Sequence, residues 1–246
     1  MCPIIGALLL KKNKFCNVIY YHDIVEGTGY SFMQMNIEHF KQQMLYLKRK
    51  GYETLRFDDL DDPAKFKFRK KRIVIGFDDG WKSNYAIFGW MKEQDIKYNI
   101  YLTMGEIGNN PDYLTWNQVR EMHSSGICGF GAHTFTHPDM SDLSKIDIAK
   151  EITEANELFH RELGYEPVDF CYPFGYYSEK TNEYLCANTG YKRIYTSKNL
   201  YSYAQGNATI MGRNGISDDD NQSTFINKLK GYENCFYSFE RKVLHR

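Results

Sequence analysis

Six short apolar runs recur along this chain, and segments with helical spacing lie between them. The runs Val18–His22, Ile73–Phe77, Asn99–Thr103, Cys128–Ala132, Val168–Tyr172 and Arg193–Thr196 read as strands, and most are too apolar to have a wet face. Helices are expected over Ile37–Lys50, Ser83–Glu93, Thr115–Ser125, Ile146–Leu163, Glu179–Asn188 and Ser223–Lys230. The Ile146–Leu163 segment shows the pattern well. Ile148, Ile152, Ala155, Phe159 and Leu163 share one face, and Gly164 supplies the stop. Strands alternating with helices imply crossover connections and a mainly parallel sheet, and a barrel-like closure is the natural way to bury so many strands.

The length of 246 residues suits one large α/β domain, and no repeat or Pro/Gly-rich linker divides it. We therefore expect an N-terminal extension over residues 1–17 and a single domain over 18–246. With 42% hydrophobic and 25% charged residues, the composition is that of a soluble globular protein and excludes disorder. Acidic and basic residues balance at 31 each. The one basic stretch, Lys65–Arg72, reads as a solvated loop before a buried strand, so no nucleic-acid partner is expected. The six cysteines are scattered with no CxxC pair, which favours free thiols over a disulfide framework. The apolar run Pro3–Leu10 has no basic residues before it and no clear cleavage site after it, and it is too short to span a bilayer. It leaves open a trimmed anchor or a peripheral membrane contact. A cytoplasmic or envelope-associated location follows, and oligomeric state is not legible.

In a parallel α/β barrel, functional groups collect at the C-terminal ends of the strands. Here VIYY is followed by His22, IVIGF by Asp78-Asp79-Gly80, GFGA by His133-Thr-Phe-Thr-His137, and VDFC by Tyr172-Pro-Phe174-Gly175. Adjacent carboxylates repel, and a cation bound to one of them relieves the repulsion. Two histidines and one aspartate supply three N/O ligands and leave an open position, as catalytic zinc sites do. Such an ion lowers the pKa of a water and polarises a carbonyl, while the other aspartate is free to act as a general base. Each motif alone has an ordinary explanation: Asp-Gly is a turn signal, and histidines four apart often have unrelated jobs. Their joint placement at strand ends favours a metal site.

These residues resemble the polysaccharide deacetylase family, the NodB-homology or carbohydrate esterase family 4 domain. The carriers are Gly76-Phe77-Asp78-Asp79-Gly80 and His133-Thr134-Phe135-Thr136-His137, with Pro138 following. The opening Tyr20–Ile24, the segment Phe40–Leu60 and the Tyr172–Gly175 turn further resemble the poly-N-acetylglucosamine deacetylase branch. The resemblance implies an incomplete or distorted (β/α) barrel and removal of acetyl groups, N-acetyl before O-acetyl, from a polysaccharide or lipid-linked glycan. It makes Asp78 the general base and Asp79, His133 and His137 the ligands of a divalent metal, zinc first, with cobalt or nickel as alternatives. The backbone N–H of Phe174 would contribute to an oxyanion hole.

The sequence departs from the family in two places. Where many members carry an arginine that holds the base, this chain has Cys171; Arg213 is the candidate replacement, with a surface arginine as the alternative. The late histidine motif that supplies a general acid is not evident, and His245 sits at the C-terminus, where fraying is expected. His22 is either a substrate contact or proton donor, or a satisfied core histidine. Trp81, Tyr176 and Tyr177 either line a sugar cleft or pack against the barrel, and His39, His123 and His160 read as structural. Two other functions stay in view: a carbohydrate-binding domain that keeps the metal cradle, and a magnesium phosphohydrolase, against which the two histidines speak.

Overall fold

The computed structural model describes residues 17–230, apart from 28–30, 32, 67–69, 199–202 and 206. The expected extension therefore lies outside the described residues except for Asn17, as do Pro3–Leu10, His245 and Cys2, Cys16 and Cys235. Asn17 opens strand β1, Asn17–Tyr21, and its amide donates to the carbonyls of Lys228 and Leu229. The remaining parallel strands of the barrel are β5 (Lys71–Phe77), β6 (Tyr98–Leu102), β7 (Cys128–Ala132), β8 (Asp169–Cys171), β9 (Arg193–Thr196), β11 (Ala208–Gly212) and β12 (Asn214–Gly215). They run in the order β11-β9-β8-β7-β6-β5-β1-β12, with β10 (Tyr203–Gln205) antiparallel on β11. Short β4 (Tyr52–Leu55) pairs with the first half of β5, whose second half pairs with β6. Strands β2 (Asp23–Val25) and β3 (Gln34–Asn36) form a separate parallel pair.

The sheet is nearly closed. Strand β11 lies beside β9 and β12 lies beside β1, yet a single residue, Arg213, separates the two in sequence. The chain thus crosses from one end of the strand order to the other at Arg213. Barrel-like closure was expected from the number of strands, but its route was not legible, because β4, β10 and β11 are too short or too weakly patterned to announce themselves.

Helices α1 (Ile37–Arg49), α2 (Ser83–Ala86), α3 (Phe88–Glu93), α4 (Trp116–Ser124), α5 (Lys145–Leu163), α6 (Glu179–Asn188) and α7 (Gln222–Leu229) alternate with the strands. Local chemistry sets their ends. Thr115 and Gln118 form a capping box for α4, and Gly164 ends α5 in the left-handed conformation. The helix expected over Ser83–Glu93 is instead split at Ile87. Its first turn is committed to the barrel mouth, where Ser83 bonds Asp23 and Asn84 bonds the His22 carbonyl. Among the described residues, no helix is long and apolar enough to cross a membrane.

Strand alternation divides the core in two. On β5, Ile73, Ile75 and Phe77 face the helices with Phe40, Met44, Leu102 and Phe159. Val74 faces inward, where Val18, Tyr101, Cys171, Tyr195 and Met211 fill the barrel around Phe57. A fully buried side chain of this size contributes about 1.5–3 kcal/mol. The wall at β7 must be thin to admit these rings. A Cβ on Gly131 would lie 2.8 Å from the Asp169 carbonyl oxygen, 3.0 Å from Tyr101 and 3.2 Å from Phe57.

Candidate active site

The inward register that buries Val18, Val74 and Met211 also brings His22, Asp78 and Arg213 to the barrel mouth, four residues beyond Val18 and Val74 and two beyond Met211. His133 follows the same rule after Gly129 and Gly131. Arg213 is fully buried and is no surface arginine. Its Nη1 and Nη2 donate to the two Asp78 oxygens at 2.6 and 2.8 Å, a bidentate pair. The guanidinium carbon lies 4.1 Å from the centre of the Tyr20 ring and 5.2 Å from that of Tyr101. Both rings contribute cation–π stabilisation to a charge with no access to water. Cys171 occupies the place where an arginine was anticipated, with its Sγ 3.9 Å from Asp78 Oδ2.

Asp79 turns the other way, towards the histidines. Its Oδ1 lies 3.3 Å from His133 Nε2 and 3.2 Å from His137 Nε2. Charge-assisted hydrogen bonds are shorter, about 2.7–2.9 Å. The separations instead match the edge of about 3.3 Å that a tetrahedron with bonds of about 2.0–2.1 Å requires. The orientation of the donors agrees. His133 Nδ1 is engaged by the Cys171 carbonyl at 2.8 Å, which leaves Nε2 as the free ligand atom. Trp81 Nε1 donates to Asp79 Oδ2 at 2.9 Å and leaves Oδ1 to face the histidines. Asp79, His133 and His137 thus fit a divalent cation of the zinc type.

Backbone strain gathers at the same place. Asp79, Thr134, His137 and Phe174 all have positive φ, between 56° and 73°, although none is glycine. Each such residue costs about 1–3 kcal/mol and persists only where its surroundings over-determine it. Gly175, φ 70°, follows Phe174 and could not carry a side chain, since a Cβ there would meet Ser197 at 2.4 Å. Phe174 is exposed and its ring packs edge-on against His137 at 4.7 Å.

The electrostatics separate the two carboxylates from the imidazole beside them. Burial alone pushes the Asp78 carboxyl up, but the charge and hydrogen bonds of Arg213, with smaller help from His133 and His22, hold it below the usual range. For Asp79, burial is likewise outweighed by the two imidazoles of His133 and His137 that face it, and the carboxyl stays well below its ordinary value. Burial lowers the pKa of His22 despite the nearby carboxylates, so its imidazole is neutral at neutral pH. His22 Nε2 lies 3.9 Å from Asp78 Oδ2.

All seven residues singled out from the sequence therefore converge on one mouth: His22, Asp78, Asp79, His133, His137, Phe174 and Arg213. Trp81 both stacks on Tyr113, at a centroid distance of 4.6 Å, and bonds Asp79. The second role had no sequence signal. Of the other histidines, His39 pairs with Asp218, His160 pairs with Glu166, and His123 stacks on Tyr165.

Comparison with known proteins agrees with this geometry. The family profile for polysaccharide deacetylase matches residues 65–194, more than half of the chain. A poly-beta-1,6-N-acetyl-D-glucosamine N-deacetylase of Staphylococcus aureus is 24% identical over 185 residues, covering 68% of this chain and 62% of that protein. A peptidoglycan-N-acetylglucosamine deacetylase of Bacillus cereus is 24% identical over 162 residues, covering 65% and 56% respectively. The chain thus spans between 49% and 62% of the length of the curated relatives it matches. The Streptococcus pyogenes deacetylase PplD, solved in complex with acetate, superimposes with a TM-score of 0.77 at 21% identity, over 87% of this chain and 97% of that one. The barrel is therefore of the same type.

Proposed function

This chain belongs to the polysaccharide deacetylase family, and on that premise we propose that it hydrolyses acetyl groups, N-acetyl before O-acetyl, from an amino-sugar polymer. The single observation that carries this is the division of labour between Asp78 and Asp79. One carboxylate faces a three-ligand set, while its neighbour is held by Arg213 outside that set. A carbohydrate-binding domain has no use for the second. Two relatives named for N-acetylglucosamine polymers support the choice of substrate.

Asp79, His133 and His137 would hold the divalent ion, zinc before cobalt or nickel, which supplies an acidified water and polarises the acetyl carbonyl. Asp78 accepts the proton of the attacking water on the oxygen face not engaged by Arg213. Its lowered pKa makes it a weak base, suited to a water that is already acidic. Arg213 keeps the buried carboxylate oriented and ionised. The Phe174 N–H, presented by a strained turn, donates to the oxyanion as the carbonyl becomes tetrahedral. His22 Nε2, next to Asp78, is placed to deliver a proton to the departing nitrogen. Because its imidazole is neutral at rest, it must first take up a proton to act as that acid, and Asp78, having taken one from the water, lies 3.9 Å away to supply it.

The test is acetate release from acetylated chito-oligosaccharides and poly-β-1,6-N-acetylglucosamine by metal-stripped protein, before and after adding zinc, cobalt or nickel. Metal-dependent release, lost in Asp78→Asn, is the expected result. Tight metal binding with no acetate released from any acetylated glycan would instead favour the binding-domain reading.

A further inference from the structure

The two histidines are not held in the same way. His133 is tied to the barrel wall: its N–H donates to the Leu102 carbonyl at 3.0 Å and its Nδ1 is engaged by the Cys171 carbonyl. His137 comes at the end of a loop that belongs to no helix or strand, and its ring is partly exposed. That loop enters and leaves through left-handed residues, Thr134 at φ 65° and His137 at φ 61°. Left to itself, a histidine relaxes out of this conformation, and its Nε2 then no longer faces Asp79.

Part of the restraint is local. Met104 and Gly105 donate to the carbonyls of Thr134 and Phe135, and the Thr134 hydroxyl accepts from the His137 N–H at 3.0 Å. The rest comes from helix α5. Glu151 Oε2 accepts from two consecutive N–H groups, those of Phe135 at 3.0 Å and Thr136 at 2.9 Å. Its Oε1 accepts from the Thr136 hydroxyl at 2.6 Å. Successive N–H groups beside a left-handed residue make a concave anion site, and here the chain fills it with its own carboxylate.

We propose that Glu151 is a positioning residue for the metal centre: docked in the paired N–H groups of the 133–137 loop, it holds His137 in the left-handed conformation that aims Nε2 at Asp79 Oδ1. The inference rests on the reading that Asp79, His133 and His137 bind the ion. Glu151 is not among the three candidate ligands and bonds the loop through Phe135 and Thr136. Its effect falls on His137 and leaves His133 in place.

The test measures the zinc dissociation constant of the metal-stripped full chain by competition with a chromophoric chelator. Thermal unfolding of the metal-free forms is recorded alongside. Glu151→Ala is expected to weaken zinc binding by about 10- to 100-fold, as loss of an outer partner of a metal ligand typically does. Glu151→Gln, whose amide keeps one acceptor oxygen, should fall between Ala and wild type. Added formate, small enough to enter the emptied N–H pair, should tighten zinc binding in Glu151→Ala and leave wild type unchanged. A helix–loop tie with no bearing on the metal would move only the unfolding temperature. A zinc dissociation constant equal to wild type in either variant, once shown to be folded, overturns the proposal. Failure of wild type itself to take up zinc, cobalt or nickel removes the metal reading and this inference with it.

Discussion

The barrel contains two buried arginine–aspartate pairs, one at each end, and both are bidentate. At the mouth, Arg213 meets Asp78 at 2.6 and 2.8 Å; at the base, Arg193 meets Asp169 at 2.6 and 2.7 Å. The pairs differ in what else they touch. Asp169 also accepts from the Tyr195 hydroxyl, and Arg193 reaches on to Asp61 and the Phe57 carbonyl. Neighbouring protein groups take up the base pair's bonding capacity. At the mouth, Arg213 supplies both of the close hydrogen bonds to Asp78, one to each oxygen, while His22 and Cys171 stand 3.9 Å off. A carboxylate offers about four lone-pair sites, so Asp78 keeps acceptor capacity for a substrate or a water. The same pairing chemistry is saturated at the base, whereas at the mouth it leaves a carboxylate with open acceptor sites, as the role proposed for Asp78 requires.

That contrast is broken most directly by Asp78→Asn. Turnover should fall by about 10²–10⁴-fold with the zinc dissociation constant little changed, checked by acetate release and metal competition. Arg193→Met should do the opposite. Removing one partner of a buried pair costs about 3–5 kcal/mol, read as a lower denaturation midpoint, while turnover per folded molecule is retained. Replacing both partners, Arg193→Met with Asp169→Leu, should recover much of that loss; no recovery would mean that the Tyr195 and Asp61 contacts matter more than the pair. Arg213→Met sharpens the comparison through pH. With Arg213 present, Asp78 has a lowered folded pKa, and its charge stabilises the fold until pH falls through that value. Without it, burial is opposed only by the smaller pull of His133 and His22 and the pKa rises, so the acid limb of the pH–rate profile should move to higher pH. An acid limb that stays put would show that Arg213 does not govern the base. The smallest effect is expected from Trp81→Phe, which frees Asp79 Oδ2. Zinc affinity should drop by about tenfold, toward the low end for an outer-shell partner, with the barrel equally stable.

Much of the mouth was legible because alternation along a strand is a rigid rule. Once IVIGF is read as a buried strand, Val74 and Asp78 must share its inner face, and VIYYH places His22 by the same count. The histidine loop follows GFGA for that reason too. The partner of Asp78 was harder to see. Arg213 is 135 residues away, and its place depends on β11 and β12, the latter only two residues long. The base pair left no trace at all. Asp169 and Arg193 lie inside apolar strands without a motif, and each becomes intelligible only opposite the other. Side chains that act from outside, Trp81 and Glu151, are ordinary residues on a turn and a helix until the loops they hold are in place.

The crossing at Arg213 has a consequence for the order in which this molecule comes to life. Strand β1 is made first and waits for β12, pairing Ile19 with Asn214 almost the full length of the chain away. Contacts of such long sequence separation are slow to form, because the chain must close a large loop before they return any stabilisation. The residue that completes the barrel also fixes Asp78, the proposed base. In a chain still emerging from the ribosome, Asp79, His133 and His137 are all translated well before Arg213, the partner of Asp78. On the proposed mechanism, synthesis thus carries its own safety catch: the last stretch of barrel to be translated is the one that brings Asp78 its partner.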